Sequence, residues 1–126
     1  MERENITTQP LTSLQEKQKE WDLAVFGGLR VPLNVYLRMM EEVDELRQAI
    51  DKEERRPEEI LEESADIVIL LFFIANAYNQ PLEFFVQQKL SKNFEKYNPD
   101  KVQELVSQGY SPNEALQVLK EQWNGD

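Results

Sequence analysis

The stretch PLNVYLRMMEEVDELRQAI, residues 32–50, determines the fold class, because its apolar side chains recur at the three- and four-residue intervals of an α-helix. Pro32 suits the first turn of a helix, where its missing N–H costs nothing. The stretch therefore predicts an amphipathic helix from Pro32 to about Arg55, with an apolar stripe formed by Val35, Tyr36, Met39, Val43, Leu46 and Ile50.

The next stretch, PEEILEESADIVILLFFIANAY at residues 57–78, predicts the helix that returns antiparallel to the first. Pro57 begins it, and Glu58 and Glu59 in the first turn are favoured by the helix macrodipole. From Ile67 to Ala75 the sequence is apolar on all sides, which predicts burial on most sides. This run is too short to span a bilayer, so we expect no membrane contact and a cytoplasmic protein.

Proline and glycine divide the rest of the chain into further helices, and no stretch alternates as a half-buried strand does. We expect a first helix at Leu11–Phe26, with Thr12 or Ser13 near its N-cap and Gly27-Gly28 after its end. After the hairpin, helices are predicted from Pro81 to Lys96, from Asp100 to Gln108, and from Pro112 to about Trp123, the last with a capping box formed by Ser111 and Glu114.

These elements predict an all-α, antiparallel helical bundle, completed by homo-oligomerisation because so apolar a helix needs further cover. Residues 1–10 are expected to form a flexible arm and residues 11–97 the catalytic domain. Residues 98–126 are expected to form a helical hairpin that packs on this domain or on a partner subunit. Tyr78, Phe84 and Phe85 are interpreted as packing residues.

Composition excludes several classes of chemistry. The 126 residues contain no histidine and no cysteine, which removes histidine bases, thiolate nucleophiles and Glu-x-x-His di-iron sites. Four scattered glycines cannot form a phosphate-binding glycine loop. The formal net charge of −10 argues against binding a nucleic-acid polymer. Carboxylates, basic side chains, amides and a bound metal remain.

Two pairs of carboxylates lie at helical spacing on the two helices of the hairpin. Glu42 and Glu45 share one flank of the first helix, and Glu63 and Asp66 extend the apolar stripe of the second. Antiparallel packing would bring the pairs together, where partial burial is costly unless a cation neutralises them. Oxygen ligands would favour Mg²⁺ or Mn²⁺. The same pattern also occurs on solvated acidic helices, so both readings stay open on this ground.

The order of motifs resembles the MazG-like, all-α nucleoside triphosphate pyrophosphohydrolases, a superfamily that includes dimeric dUTPases and dCTP pyrophosphatases. Glu41-Glu42-Val43-Asp44-Glu45 and Glu63-Ser64-Ala65-Asp66 are similar to its Glu-Glu-x-x-Glu and Glu-x-x-Asp motifs. Trp21-Asp22 and the stretch from Lys89 to Tyr97 are similar to its upstream tryptophan and its downstream Lys-x-x-Lys-Asn-x-x-Lys-Tyr segment. The sequence departs from the family pattern after Tyr97. Asn98 stands there before the proline, which in the family usually follows the tyrosine directly.

The resemblance implies a catalytic mechanism and a substrate. Glu42, Glu45, Glu63 and Asp66 would coordinate Mg²⁺, with Mn²⁺ as a possible substitute, and the enzyme would cleave a nucleoside triphosphate to the monophosphate and pyrophosphate. Glu41 would position or deprotonate the attacking water, and the implied function is nucleotide-pool housekeeping. Substrate contacts are expected at Trp21, which would stack on the base, and at Arg38, Lys89, Lys92, Asn93 and Lys96.

Two alternatives remain from the sequence. One is a non-catalytic helical interaction or regulatory protein whose acidic residues lie on the surface. The other is a phosphoribosyl-ATP pyrophosphohydrolase with the same site. We expect a homodimer or homotetramer in the catalytic reading. No residue of the chain indicates which base or sugar is preferred.

Overall fold

The structure of the protein is a computed structural model that describes residues 8–125. Within that range the chain forms α-helices and no strands, which confirms the all-α class. The helices are α1 (Leu11–Phe26), α2 (Pro32–Asp51), α3 (Pro57–Ala77), α4 (Leu82–Lys96), α5 (Pro99–Ser107) and α6 (Pro112–Gln122). None of these helices combines the length and the apolar character that a bilayer crossing requires. Most of the predicted arm, residues 1–7, lies outside the described residues.

The chain divides into two compact units, and the boundary falls in the sequence of α4, where the first unit ends at Glu83 and the second begins at Phe84. The first contains α1, α2 and α3. In it α2 and α3 pack along each other as a hairpin, and α1 packs on α3. The predicted catalytic domain at residues 11–97 stays a prediction about function.

The core of the first unit lies between α2 and α3. Val35 is fully buried and packs with Leu70 and Phe73, and Met39 and Ile74 close the cluster. Val35 and Met39 belong to the stripe that helical spacing predicts for α2. Because this core joins α2 to α3, it holds the two helices in one register, and that register aligns the carboxylates described below.

A buried amide network fixes α1 to the end of α3. The side chain of Gln15 donates to Asn76 Oδ1 at 2.9 Å and to the carbonyl of Gln80 at 2.8 Å, and it accepts from the N–H of Leu82. Gln15 and Asn76 are both nearly fully buried, so each polar group needs these partners. The network closes the turn between α3 and α4, where Asn79 adopts a left-handed φ of 53°.

In the second unit, α5 and α6 pack together as a C-terminal hairpin. The Asn98 side chain caps α5 by accepting from two backbone N–H groups, and Ser111 and Glu114 form the predicted capping box of α6. Helix α6 packs against α5, and Ala115 and Leu119 of α6 are buried. The predicted capping box of α6 is thus confirmed, whereas the sequence analysis did not predict the Asn98 cap of α5.

Three local expectations are wrong. Pro10, not Thr12 or Ser13, precedes α1, and the Thr12 hydroxyl donates instead to Glu83 at 2.6 Å. Helix α2 ends at Asp51 rather than near Arg55, since Arg55 folds back to donate to the carbonyl of Ile50. The apolar stripe predicted for α2 is wrong at Tyr36 and Val43, which are 52% and 49% exposed, whereas the run Ile67–Ala75 of α3 is mostly buried or partly buried, as predicted.

Candidate metal centre

Three of the four predicted metal ligands converge where α2 and α3 face each other. Glu42, Glu45 and Glu63 each place a carboxylate oxygen so that all three oxygens lie within 4.8 Å of one another. Glu42 and Glu45 lie one turn apart on α2, and Glu63 comes from the second turn of α3. Their convergence follows from the hairpin register, which the Val35, Leu70 and Phe73 core holds about two helical turns away.

The electrostatics of this triad are unfavourable for a chain without a cation. Partial loss of water raises the pKa of the Glu42 carboxyl above its usual 4.5, and the adjacent Glu45 and the charge of Asp66 raise it further. The pKa of Glu63 is also raised, first by desolvation and then by the charges of Glu45 and Asp66. The ionised state therefore costs free energy at both positions.

Two oxygen atoms of the triad carry the clearest sign of a missing partner. Oε2 of Glu42 and Oε2 of Glu63 are buried, and neither has a hydrogen-bond partner. Buried carboxylate oxygens are normally paired with donors or with a cation. Three converging carboxylates without sulfur or imidazole ligands form a donor set that fits a hard divalent ion such as Mg²⁺ or Mn²⁺. The cluster can therefore hold such a metal.

The structure places Asp66 and Glu41 next to this triad but not in it. Asp66 is exposed, although its charge acts on both Glu42 and Glu63, so the expectation that it is partly buried is wrong. An aspartate is one methylene shorter than a glutamate, and helical spacing places this one at the edge of the apolar stripe of α3 rather than in its centre. Glu41 is also exposed on α2. Metal ligation by Asp66 and a water-directed role for Glu41 stay predictions.

Arg38 is the basic side chain that pairs with the triad. Its Nε lies 3.7 Å from Oε1 of Glu42, one helical turn away on α2. The arginine side chain is 57% exposed and the glutamate side chain is 12% exposed. Among residues 8–125, no other basic side chain forms an ion pair with these carboxylates. The partly exposed guanidinium of Arg38 therefore lies beside a cluster of several negative charges.

An aromatic surface lies at the C-terminal end of α1. Trp21 is half exposed and meets Phe26 edge to face, with ring centroids 5.6 Å apart. The guanidinium of Arg30 lies 5.4 Å from the Phe26 ring and 5.0 Å from the Phe73 ring. An exposed tryptophan leaves a face on which a base can stack, whereas a core tryptophan would not.

Asp22, next to Trp21, is a functional candidate that the sequence reasoning did not single out. It is 1% exposed, and its Oδ2 has no hydrogen-bond partner. Burial raises the pKa of its carboxyl, while a hydrogen bond from Gln18 and the charge of Arg30 act in the opposite direction. Nothing in the local pattern signals this burial, because α1 has no clear apolar stripe around the position.

The predicted basic strip lies on α4. Lys89, Lys92, Asn93 and Lys96 occur on one continuous helix at positions i, i+3, i+4 and i+7, so they share one side of it. Lys96 also lies over the ring of Tyr97, with its Nζ 5.2 Å from the centroid. This strip belongs to the second compact unit, and its action on a substrate of the carboxylate triad stays a prediction.

One comparison with known proteins identifies a family. A model described as the MazG nucleotide pyrophosphohydrolase domain matches residues 31–100, which is more than half of the chain. The match covers α2 and α3 with the whole carboxylate triad, and it continues through α4 into the start of α5. Searches of curated proteins and of solved structures found no match.

Proposed function

The chain belongs to the MazG nucleotide pyrophosphohydrolase family, and from this premise we propose that it hydrolyses nucleoside triphosphates to nucleoside monophosphates and pyrophosphate in a Mg²⁺-dependent reaction. The observation that carries the proposal is the triad of Glu42, Glu45 and Glu63, with two buried oxygens that lack partners. Such a site suits a hard cation, and nucleoside triphosphates bind hard divalent cations through their phosphate oxygens. Housekeeping of the nucleotide pool is the role that fits this activity.

In this proposal the metal is held by Glu42, Glu45 and Glu63, with Asp66 as a further ligand or as a nearby charge. Bound Mg²⁺ would supply charge neutralisation for the triphosphate and would activate water for attack. Glu41 extends from the same turn of α2 as Glu42, and its exposed carboxylate is available to orient that water or accept its proton. No covalent intermediate with the protein is required.

Substrate recognition in the proposal combines stacking with charge. Trp21 offers an exposed ring to the base, and such contacts tolerate any base. Lys89, Lys92, Asn93 and Lys96 provide three positive charges and an amide for triphosphate oxygens, and Arg38 adds a guanidinium beside the triad. The net charge of −10 makes these local positive groups important, because the rest of the surface repels an anionic substrate.

We also propose that the chain works as a homodimer or homotetramer. On the side of α2 away from the core, apolar residues lie at helical spacing and are about half exposed or more, namely Leu33, Tyr36, Leu37, Met40 and Val43. A groove of about 450 Å³ between α1 and α3 adds the exposed apolar side chains of Leu14, Val68 and Ile69. Exposed apolar areas this extensive are typical of subunit interfaces.

The test of the proposed activity is pyrophosphate release from a panel of canonical dNTPs and NTPs with Mg²⁺, with the nucleotide product identified. We expect monophosphate and pyrophosphate in equal amounts from at least one nucleotide, and loss of release in Glu45→Gln. Glu62→Gln controls for the loss of one negative charge, because Glu62 is an exposed acid outside the triad, and it should keep the wild-type activity. Absence of release from every nucleotide, or full activity in Glu45→Gln, would contradict the proposal.

Light scattering coupled to size-exclusion chromatography tests the proposed oligomeric state. A monomer at micromolar concentration would contradict the proposed homodimer or homotetramer.

A further inference from the structure

The ion pair between Arg38 and Glu42 differs from the other arginine pair on α2. Arg47 donates to Asp44 at 3.0 Å and to Asp51 at 3.1 Å, and all three side chains are more than half exposed. Arg38 stands 3.7 Å from Glu42, beyond hydrogen-bonding distance, and its partner is mostly buried. Arg38 thus supplies charge to the triad without occupying a hydrogen-bonding position on it.

The loose geometry leaves Arg38 free to move. Its side chain is 57% exposed, so the guanidinium can turn into solvent at little cost in desolvation or packing. The second oxygen of Glu42, Oε2, is buried and has no partner. Oε2 of Glu42 is therefore available to bind a cation. The guanidinium of Arg38, which lies beside the same carboxylate, would repel that cation.

We propose that Arg38 makes the triad discriminate against a free divalent cation and in favour of a metal–triphosphate complex. This inference rests on the proposed function. A bare divalent ion is repelled by the guanidinium, whereas the metal–triphosphate complex carries net negative charge and attracts it. On binding, Arg38 leaves Glu42 to the metal and pairs with phosphate oxygens, which it can do bidentately. The metal and the triphosphate would then bind to the triad together, as one complex.

The test measures binding without turnover in Arg38→Gln. Two probes are titrated by calorimetry, Mn²⁺ alone and Mn²⁺ with a triphosphate whose α–β bridging oxygen is replaced by a methylene group. At a pH of about 8, where carboxylates are ionised, Arg38→Gln should bind Mn²⁺ alone roughly threefold to tenfold more tightly. It should bind the complex more weakly by roughly a similar factor.

The controls use the same helix. Arg47→Gln removes an equally exposed arginine and should leave both affinities at the wild-type value, and Arg38→Lys, which keeps the charge, should restore most of the discrimination. Weakening of both, or no change in either, overturns the inference while leaving the metal site in place.

A wild-type chain that binds neither probe overturns the proposed function and this inference together, so the two failures are distinguishable. Far-ultraviolet circular dichroism checks that Arg38→Gln keeps the helical content of the wild type. Arg38→Met is the second variant, because its apolar chain replaces the arginine stem without a charge or a hydrogen-bond donor. Arg38→Gln and Arg38→Met should both bind Mn²⁺ alone more tightly than the wild type and the Mn²⁺–triphosphate complex more weakly.

Discussion

Replacing Glu63 by glutamine should have opposite effects on stability with and without metal. The pKa of Glu63 is raised in the folded protein by desolvation and by neighbouring acids. A carboxyl with a raised folded pKa contributes stability below its unfolded pKa of about 4.5, and that contribution is lost as pH rises through the folded pKa. The metal-free wild type should therefore lose melting temperature as pH rises from about 4.5 towards 8, and Glu63→Gln should lose less.

At a pH of about 8 without metal, Glu63→Gln should consequently melt above the wild type. With metal the order should reverse. Free metal at about one hundred times its Kd stabilises the native state by about 2.7 kcal/mol, which for a chain of this size is a shift of about 10 °C. Loss of one ligand of the triad weakens binding by about one hundredfold or more, so the metal-induced shift of the variant should fall below about 2 °C.

The assay is thermal melting followed by circular dichroism, with excess chelator in one arm and millimolar Mg²⁺ or Mn²⁺ in the other. Glu62→Gln makes the same change of charge at an exposed neighbour, and it should keep the wild-type metal shift. Two results together would refute a cation-binding triad: Glu63→Gln melts below the wild type in chelator, and metal raises its melting temperature as much as that of the wild type.

Three further predictions concern catalysis and the fold. Glu41→Gln should lower kcat by about 10²–10⁴ if Glu41 handles the water, while the metal-induced rise in melting temperature stays at the wild-type value; unchanged kcat would remove Glu41 from the mechanism. Phe73→Ala should lower the free energy of unfolding by about 3–5 kcal/mol in urea titration, because Phe73 is 5% exposed in the core; a cost below about 1 kcal/mol would contradict the assigned core. Gly27→Ala should cost about 1 kcal/mol in the same assay, since Gly27 ends α1 with φ of 71° and no neighbouring atom would clash; a neutral result would contradict the left-handed cap.

The sequence predicts the helices well because proline and glycine act locally. Pro32, Pro57 and Pro112 each occupy the first turn of a helix, and Gly27 and Gly109 adopt the positive φ that ends one. The position of the triad also follows from the sequence, since helical spacing places Glu42 and Glu63 beside the core stripes of a hairpin.

What the sequence cannot predict depends on tertiary packing. The exposure of Asp66 and the burial of Asp22 are decided by how far neighbouring helices reach, and helical spacing gives only an angle around one axis. The expectation that Phe84, Phe85 and Tyr78 pack is wrong within one chain, because each is about half exposed or more. Composition signals that such side chains need cover, but it does not specify whether the same chain or another provides it.

The most direct measurement is a crystal structure of the protein grown with Mn²⁺ and a non-hydrolysable nucleoside triphosphate, with the metal located from its anomalous scattering. We predict Mn²⁺ within bonding distance of carboxylate oxygens from Glu42, Glu45 and Glu63, and in contact with the triphosphate. Well-ordered carboxylates turned into solvent with no metal between them, or Mn²⁺ bound only elsewhere on the chain, would contradict it.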